Sequence, residues 1–313
     1  MFSTIIQTYY GVFRVKISPF YDRDRTTVLE YTLLITGKDK EGNKTQCLSV
    51  TVPAPSKSDR AYMSWLEYNE SCYIVSYEPN KSLAQHMVHI ACTIIKEESP
   101  HIKYITLKDM SKIKCDLPSP RPSPSPSPQK QVTVPLMHFY VAFHGKTWYE
   151  DKFGAAIDSD VIRDLYHTLL RNFDDPAHKP DLFRFENEEL AAILQPIYDA
   201  SSTWREFFSA IDAAYGSDKC AMVYPWLLSA LLHIMDGQLV YEGILWKFDI
   251  RGPSIKTVKY KSFVDTGKYG GSQQQRLCRL TRRRARDVEI GNPNISNSLE
   301  YASWLRARSR ASK

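Results

Sequence analysis

The residues best placed to do chemistry sit in one stretch, Leu136 to Ile157, around His144-Gly145-Lys146-Thr147-Trp148-Tyr149-Glu150. Gly-Lys-Thr is how a phosphate-binding loop ends. That loop also needs a glycine five positions earlier, where this chain has Tyr140 in an apolar run whose backbone amides are committed to structure, so nucleotide hydrolysis is not supported. Lys146 and Tyr149 are the members with chemistry to spare, an amine and a phenol. Thr147 and Glu150 have the spacing of a capping box, worth about 1 kcal/mol by typical cap substitutions, and Trp148 and Phe153 suit a core.

Other combinations carry less. His86, His89, His138 and His144 have no acid or cysteine at a metal-binding spacing, so no metal site is expected. No Gly-x-Ser-x-Gly elbow supplies a serine nucleophile. Glu186, Glu188 and Glu189 fall at the first turn of an expected helix, where acids suit the dipole.

The elements that must position this stretch can be read from periodicity. Thr4–Ile17, Thr27–Thr36, Thr45–Val52 and Met63–Tyr77 are rich in β-branched and aromatic residues and predict an antiparallel meander, with a polar hairpin loop over Gly37–Lys44. Leu83, Met87, Ile90, Ala91, Ile94 and Ile95 recur at helical spacing behind Ser82 and Gln85, placing His86, His89 and Thr93 on the far side. His101–Leu107 predicts a further strand. From Pro118 to Pro128 every second residue is proline, so 117–133 reads as an extended insertion into one unit. The next helix starts near Pro135 and stops at Gly145, and a short one follows, closed by Gly154.

Beyond Gly154 the chain reads as helical. Ile162 to Phe173 and Leu190 to Tyr198 are apolar stripes, the second expected to kink at Pro196. Thr203 and Glu206 cap a third helix ending at Gly216, and Pro225–Met235 predicts a buried one. Leu239–Ile250 and Ser254–Phe263 are expected to pair as a late hairpin.

The net charge of +6 is unevenly spread. Thr266 to Lys313 holds eleven basic and three acidic residues, which leaves the remainder near neutral at −2. Arg282, Arg283, Arg284 and Arg286 form a polycation suited to phosphates or an acidic protein, in a tail expected to be disordered. Six cysteines without a Cys-x-x-Cys pair read as reduced thiols. With neither a secretory pattern nor an apolar run long enough to cross a bilayer, the expectation is a soluble, intracellular protein.

Two resemblances follow from these residues. Ile105-Thr106-Leu107-Lys108-Asp109-Met110-Ser111, together with Gly145-Lys146-Thr147-Trp148-Tyr149-Glu150, resembles an uncharacterised family of nucleocytoplasmic large DNA viruses over roughly residues 75–235, a family without an established activity. That resemblance implies an infected cell's cytoplasm or nucleus, or a virion, as the location. The order of meander, helix, strand, helix and then Tyr149-Glu150-Asp151-Lys152-Phe153-Gly154 resembles the second half of the GNAT superfamily of N-acetyltransferases. The latter resemblance implies an acetyl-coenzyme A cofactor, Tyr149 as general acid for the leaving thiolate, and Lys81 and Ser82 at the phosphates. Where that superfamily has its glycine-rich pyrophosphate loop, this chain reads Tyr77-Glu78-Pro79-Asn80-Lys81-Ser82-Leu83-Ala84, with no glycine.

The expected fold is therefore α+β: a mostly antiparallel sheet with a central helix, an acetyltransferase-like core, over 1–157. A helical subdomain with the late hairpin follows over 158–265, and then the basic tail, 266–313. Two functions compete: a non-enzymatic binding protein with no cofactor, and an acyl-coenzyme A dependent N-acyltransferase.

Overall fold

The computed structural model describes residues 2–24, 27–38, 42–67, 72, 74–76, 83–116, 131–185, 187–239 and 243–264. In chain order the strands β1 (Phe2–Thr8), β2 (Gly11–Tyr21), β3 (Val28–Lys38), β4 (Lys44–Pro53), β5 (Arg60–Leu66) and β6 (Val75–Ser76) precede helix α1 (Leu83–Glu98). Strands β7 (Tyr104–Lys108), β8 (Lys112–Asp116) and β9 (Gln131–Pro135) lead to helices α2 (Leu136–His144) and α3 (Trp148–Phe153) and strand β10 (Ala156–Ile157). Then come α4 (Asp160–Arg171), α5 (Glu188–Ala200), α6 (Trp204–Tyr215), α7 (Lys219–Val223) and α8 (Leu227–Ile234), and finally β11 (Leu245–Asp249) and β12 (Tyr260–Val264). The class is α+β with a large, mostly antiparallel sheet.

The chain forms two compact units. The described residues up to Ile105 and from Ile255 on make the first, and Thr106–Ser254 the second. These divisions replace the boundary expected at 157/158, because the chain returns late to the first unit: β12 pairs antiparallel with β1, Thr4 opposite Val264. The expected late hairpin does not form, since β11 pairs with β10 instead.

In the first unit β5, β4, β3, β2, β1 and β12 lie side by side, each pair antiparallel. The single strand expected over Thr4–Ile17 is two, because the Thr8 hydroxyl accepts from the amides of Tyr10 and Gly11 (3.0 and 3.3 Å) and turns the chain at Tyr9-Tyr10. Residues at alternate positions, Phe13, Val15, Leu33, Ile35, Leu48 and Val50, are buried on one face, and α1 packs against β4.

The side of α1 expected to face outward is buried too. Tyr10 stacks on His86 with ring centroids 3.5 Å apart, and the Thr93 hydroxyl donates to the His89 carbonyl and accepts from the Val258 amide (2.8 and 3.0 Å). Sequence periodicity could not foresee that cover, because it comes from distant segments, Tyr10 on His86 and Val258, 165 positions away, on Thr93.

The second unit holds α2 to α8 with two strand pairs, β8 with β9 and β10 with β11. The segments flanking the proline-serine stretch fold back on each other, Cys115 opposite Val132. Strand β9 takes residues 131–133 of the expected insertion, and 117–130 lie outside the described residues. Trp204, Phe207, Phe208, Trp226 and Tyr198 form an aromatic core. Helix α5 runs unbroken through Pro196, which sits on the exposed side where water can solvate the freed Ala192 carbonyl. Helix α8 is not buried all round, since Leu228 and Leu232 are exposed.

Four cysteines expected as thiols are paired. Cys47–Cys72 and Cys115–Cys220 form disulfides, each with Cα atoms 5.7 Å apart. Their separations, 25 and 105 positions, carry no local signal. Cys92 is a free buried thiol, and burial pushes its pKa up to about 12.

His89 makes the first unit sensitive to acid. Burial first, then the nearby His86, Lys256 and Lys96, lower its pKa to about 4, so the folded state holds it neutral while the unfolded chain protonates it near 6.5. The unfolded state therefore binds more protons between those values, and stability falls as pH drops from 6.5 towards 4. Chemical denaturation from pH 7 to 4 should show a loss of about 3 kcal/mol attributable to this group, and His89→Leu should flatten that part of the profile.

Candidate functional site

Two helices meet at a corner in the second unit, and each step of that corner has a local cause. Helix α2 stops because Gly145 takes a left-handed conformation (φ 67°) and its amide bonds the Val141 carbonyl (2.8 Å). A side chain at Gly145 would also collide with Arg205, whose Nη2 lies 2.8 Å from where a Cβ would sit. Helix α3 then starts on the predicted capping box: the Thr147 hydroxyl accepts from the Glu150 amide (3.2 Å), and Glu150 Oε2 accepts from the Thr147 amide (2.6 Å). The same Oε2 accepts from the Tyr166 hydroxyl (2.8 Å), which fastens α4 to the corner. Gly154 ends α3 at φ 63°.

Tyr149 points inward and is 3% exposed. Its hydroxyl lies 3.4 Å from the Ser111 hydroxyl, and Ser111 in turn donates its amide to Asp109 Oδ1 (3.1 Å) in an Asx turn. Asp109 is itself buried, and its Oδ2 has no hydrogen-bond partner among the described residues. Burial raises the Asp109 pKa despite the Ser111 amide, and burial followed by the nearby Asp109 raises that of Tyr149. The cluster thus sets a buried carboxyl that burial makes a weaker acid beside a buried phenol that is also a weaker acid than usual.

The outward side of the corner is charged. Asp151 takes Lys146 and Lys152 on its two oxygens (2.6 Å each) and the Tyr140 hydroxyl at 2.9 Å. Lys146, then Lys152, hold its carboxyl well below the usual carboxylate range. Burial and the bond to Asp151 raise the Tyr140 pKa, and burial, then Lys219, lowers that of His144. Lys219 pairs with Asp212 and lies over the Phe143 ring. The amine of Lys146 is thus engaged, as a surface ion pair.

Of the residues singled out from sequence, Tyr149 and Lys146 are brought to this corner but on opposite sides of it. Lys81, Ser82, Arg282, Arg283, Arg284 and Arg286 lie outside the described residues. The histidines are dispersed, His86 and His89 in the first unit and His138 and His144 in the second, and among the described residues no three potential ligands gather for a metal ion. Asp109 and Ser111 were not assigned a role from sequence. The signal was present, since Asp-x-Ser is the spacing of an Asx turn, but burial was not legible. No helix among the described residues is long and apolar enough to cross a membrane. No family model matches the chain, and neither curated proteins nor solved structures give a match.

Two substitutions test this geometry. Glu150→Ala removes two hydrogen bonds and should cost about 2–3 kcal/mol in denaturant titration, against about 1 kcal/mol for an exposed cap. Asp109→Asn keeps the acceptor for Ser111 and mimics the protonated acid. A raised carboxyl pKa makes the native state bind more protons above pH 4, so it loses stability as pH rises. Asp109→Asn should therefore melt higher than the parent at pH 8, with the gap closing towards pH 4. A lower melting temperature at pH 8 would mean a charged, partnered carboxylate.

Proposed function

We propose that the chain is a non-enzymatic interaction protein of a large DNA virus, built on a degenerate acetyltransferase-like scaffold, and that it works through its surface and basic tail rather than through a reaction. The observation that carries this reading is the burial of Tyr149. A general acid must hand its proton to a leaving group at hydrogen-bond distance. Here the only phenol that the acetyltransferase resemblance offers is enclosed, bonded to Ser111, and made a weaker acid by its surroundings. The absence of glycine between Tyr77 and Ala84 points the same way, since close approach of backbone amides to a pyrophosphate needs it.

The viral assignment rests on the Asp-x-Ser and Gly-Lys-Thr-Trp-Tyr-Glu segments. They belong to one compact unit, and Ser111 of the first meets Tyr149 of the second. Such a pairing accounts for both segments as architecture. The Arg282–Arg286 cluster supplies a polycation for nucleic acid or an acidic protein.

Calorimetric titration with acetyl-coenzyme A separates this reading from an acyltransferase. No heat beyond dilution is expected at millimolar ligand, and Tyr149→Phe should leave that result unchanged. Micromolar binding, lost in a Lys81→Ala variant, would overturn the proposal.

A further inference from the structure

We infer that the open face of the first unit's sheet is a platform for single-stranded nucleic acid, a partner for the folded part of the chain that is separate from the arginine tail. The inference rests on the interaction role proposed above and names its partner.

Register fixes what this face carries. Successive rows of cross-strand partners run Phe263, Ile5, Arg14, Thr36, Gln46; then Lys16, Leu34, Ser49, Trp65; then Ser18, Thr32, Thr51, Tyr62; then Phe20, Glu30, Pro53. These positions alternate with the buried Val15, Leu33, Ile35 and Val50, so they belong to the opposite face. Each row bears one large aromatic ring, and each ring is open to solvent: Phe263 42%, Trp65 48%, Tyr62 41% and Phe20 61%. Four of the unit's five exposed large aromatic residues, among those described, therefore share one side of one sheet. Scattered exposed apolar groups need no explanation; a set gathered on one face does.

The floor between the rings suits bases more than another protein. Ser18, Thr32 and Thr51 are small, hydroxylated and partly exposed, leaving room for a planar group to lie against Tyr62 and Trp65 and hydroxyls for its edge, while Ile5 and Ser49 of the same rows are buried. The face also carries Arg14, Lys16, Lys44, Arg60 and Lys261 against Glu30 and, just past β5, Glu67. A surplus of cations around stackable rings is the composition that holds a phosphate backbone while its bases stack. The same surplus opposes a second copy, because a two-fold contact would set these cations against themselves. A duplex, with its bases stacked inward, offers the rings nothing.

The test uses the full chain and fluorescence anisotropy with labelled oligothymidylate and oligouridylate about 20 nucleotides long, and a duplex of equal length. The single strands are expected to bind more tightly than the duplex and to quench tryptophan emission. Tyr62→Ala with Trp65→Ala should weaken single-strand binding about ten-fold or more, with Trp65→Phe retaining most of it. Lys16→Glu should lower the slope of log affinity against log salt by about 0.7. A second background, with Arg282, Arg283, Arg284 and Arg286 all changed to Ala, separates face from tail. Binding that survives there and still falls with the Tyr62 and Trp65 changes supports the platform. If the tail changes abolish all binding, or if the folded Tyr62 and Trp65 variant binds like the parent, the platform is wrong while the interaction role stands. Preference between the two oligomers distinguishes DNA from RNA. No single-strand binding at low salt also ends the inference.

Discussion

The Glu150 carboxylate organises the second unit. One of its oxygens receives both the Thr147 amide and the Tyr166 hydroxyl, and Thr147 itself is buried. A helix start normally leaves several amides without partners. Here that need is met by a group which also holds α4, so the local cap and the tertiary packing share a single acceptor. Tyr166 continues the chain of contacts, its ring edge-on to Trp246 of β11 with centroids 5.6 Å apart. Since each hydrogen bond to such an acceptor contributes on the order of 1–3 kcal/mol, the corner is a sizeable share of a domain's marginal stability.

That fixed corner decides the chemistry available on either side of it. Helix α3 spans only Trp148–Phe153, fixed at its start by the Thr147–Glu150 capping box and ended by Gly154, so the chain has little freedom to rotate Tyr149 outward. Its ring lies near Trp148 and Phe153, and Phe153 stacks on Phe248. A phenol in such surroundings is a core residue with a polar tip. The neighbouring Asp109 then faces a choice between ionising without water and keeping its proton. Desolvation favours the proton.

How much of this was legible in the sequence depends on the range of the interaction. The caps were: Thr147 with Glu150, Thr203 with Glu206, and the left-handed glycines at 145 and 154 are set by residues within a turn of one another. So was the meander, apart from the turn at Tyr9-Tyr10, which a threonine hydroxyl makes without glycine or proline at its centre, and the strand expected over Met63–Tyr77, which ends at Leu66 and whose Val75–Ser76 pairs with β2 instead. Contacts between distant segments were not. The burial of His86, His89 and Thr93, the two disulfides and the separate destinations of β11 and β12 each depend on segments far apart in sequence. The inward turn of Tyr149 was likewise hidden, since helical spacing fixes which residues share a face but not which face meets the interior.

The two sets of aromatic residues show why residue type is a weaker guide than surroundings. Tyr149 drew attention because it stands beside a lysine in a motif-like string, yet the molecule treats it as filling. Tyr62 and Trp65 stand in an ordinary strand with no motif around them, and register sets them beside Thr51 and Ser49 with both rings in solvent, on the face that also carries Lys16, Ser18 and Phe20. Burying two such rings would normally stabilise a domain by several kcal/mol at about 25 cal/mol per Å² of apolar surface. A fold that leaves that contribution unused, four times on one sheet face, has kept a surface whose stabilisation comes only when something else covers it.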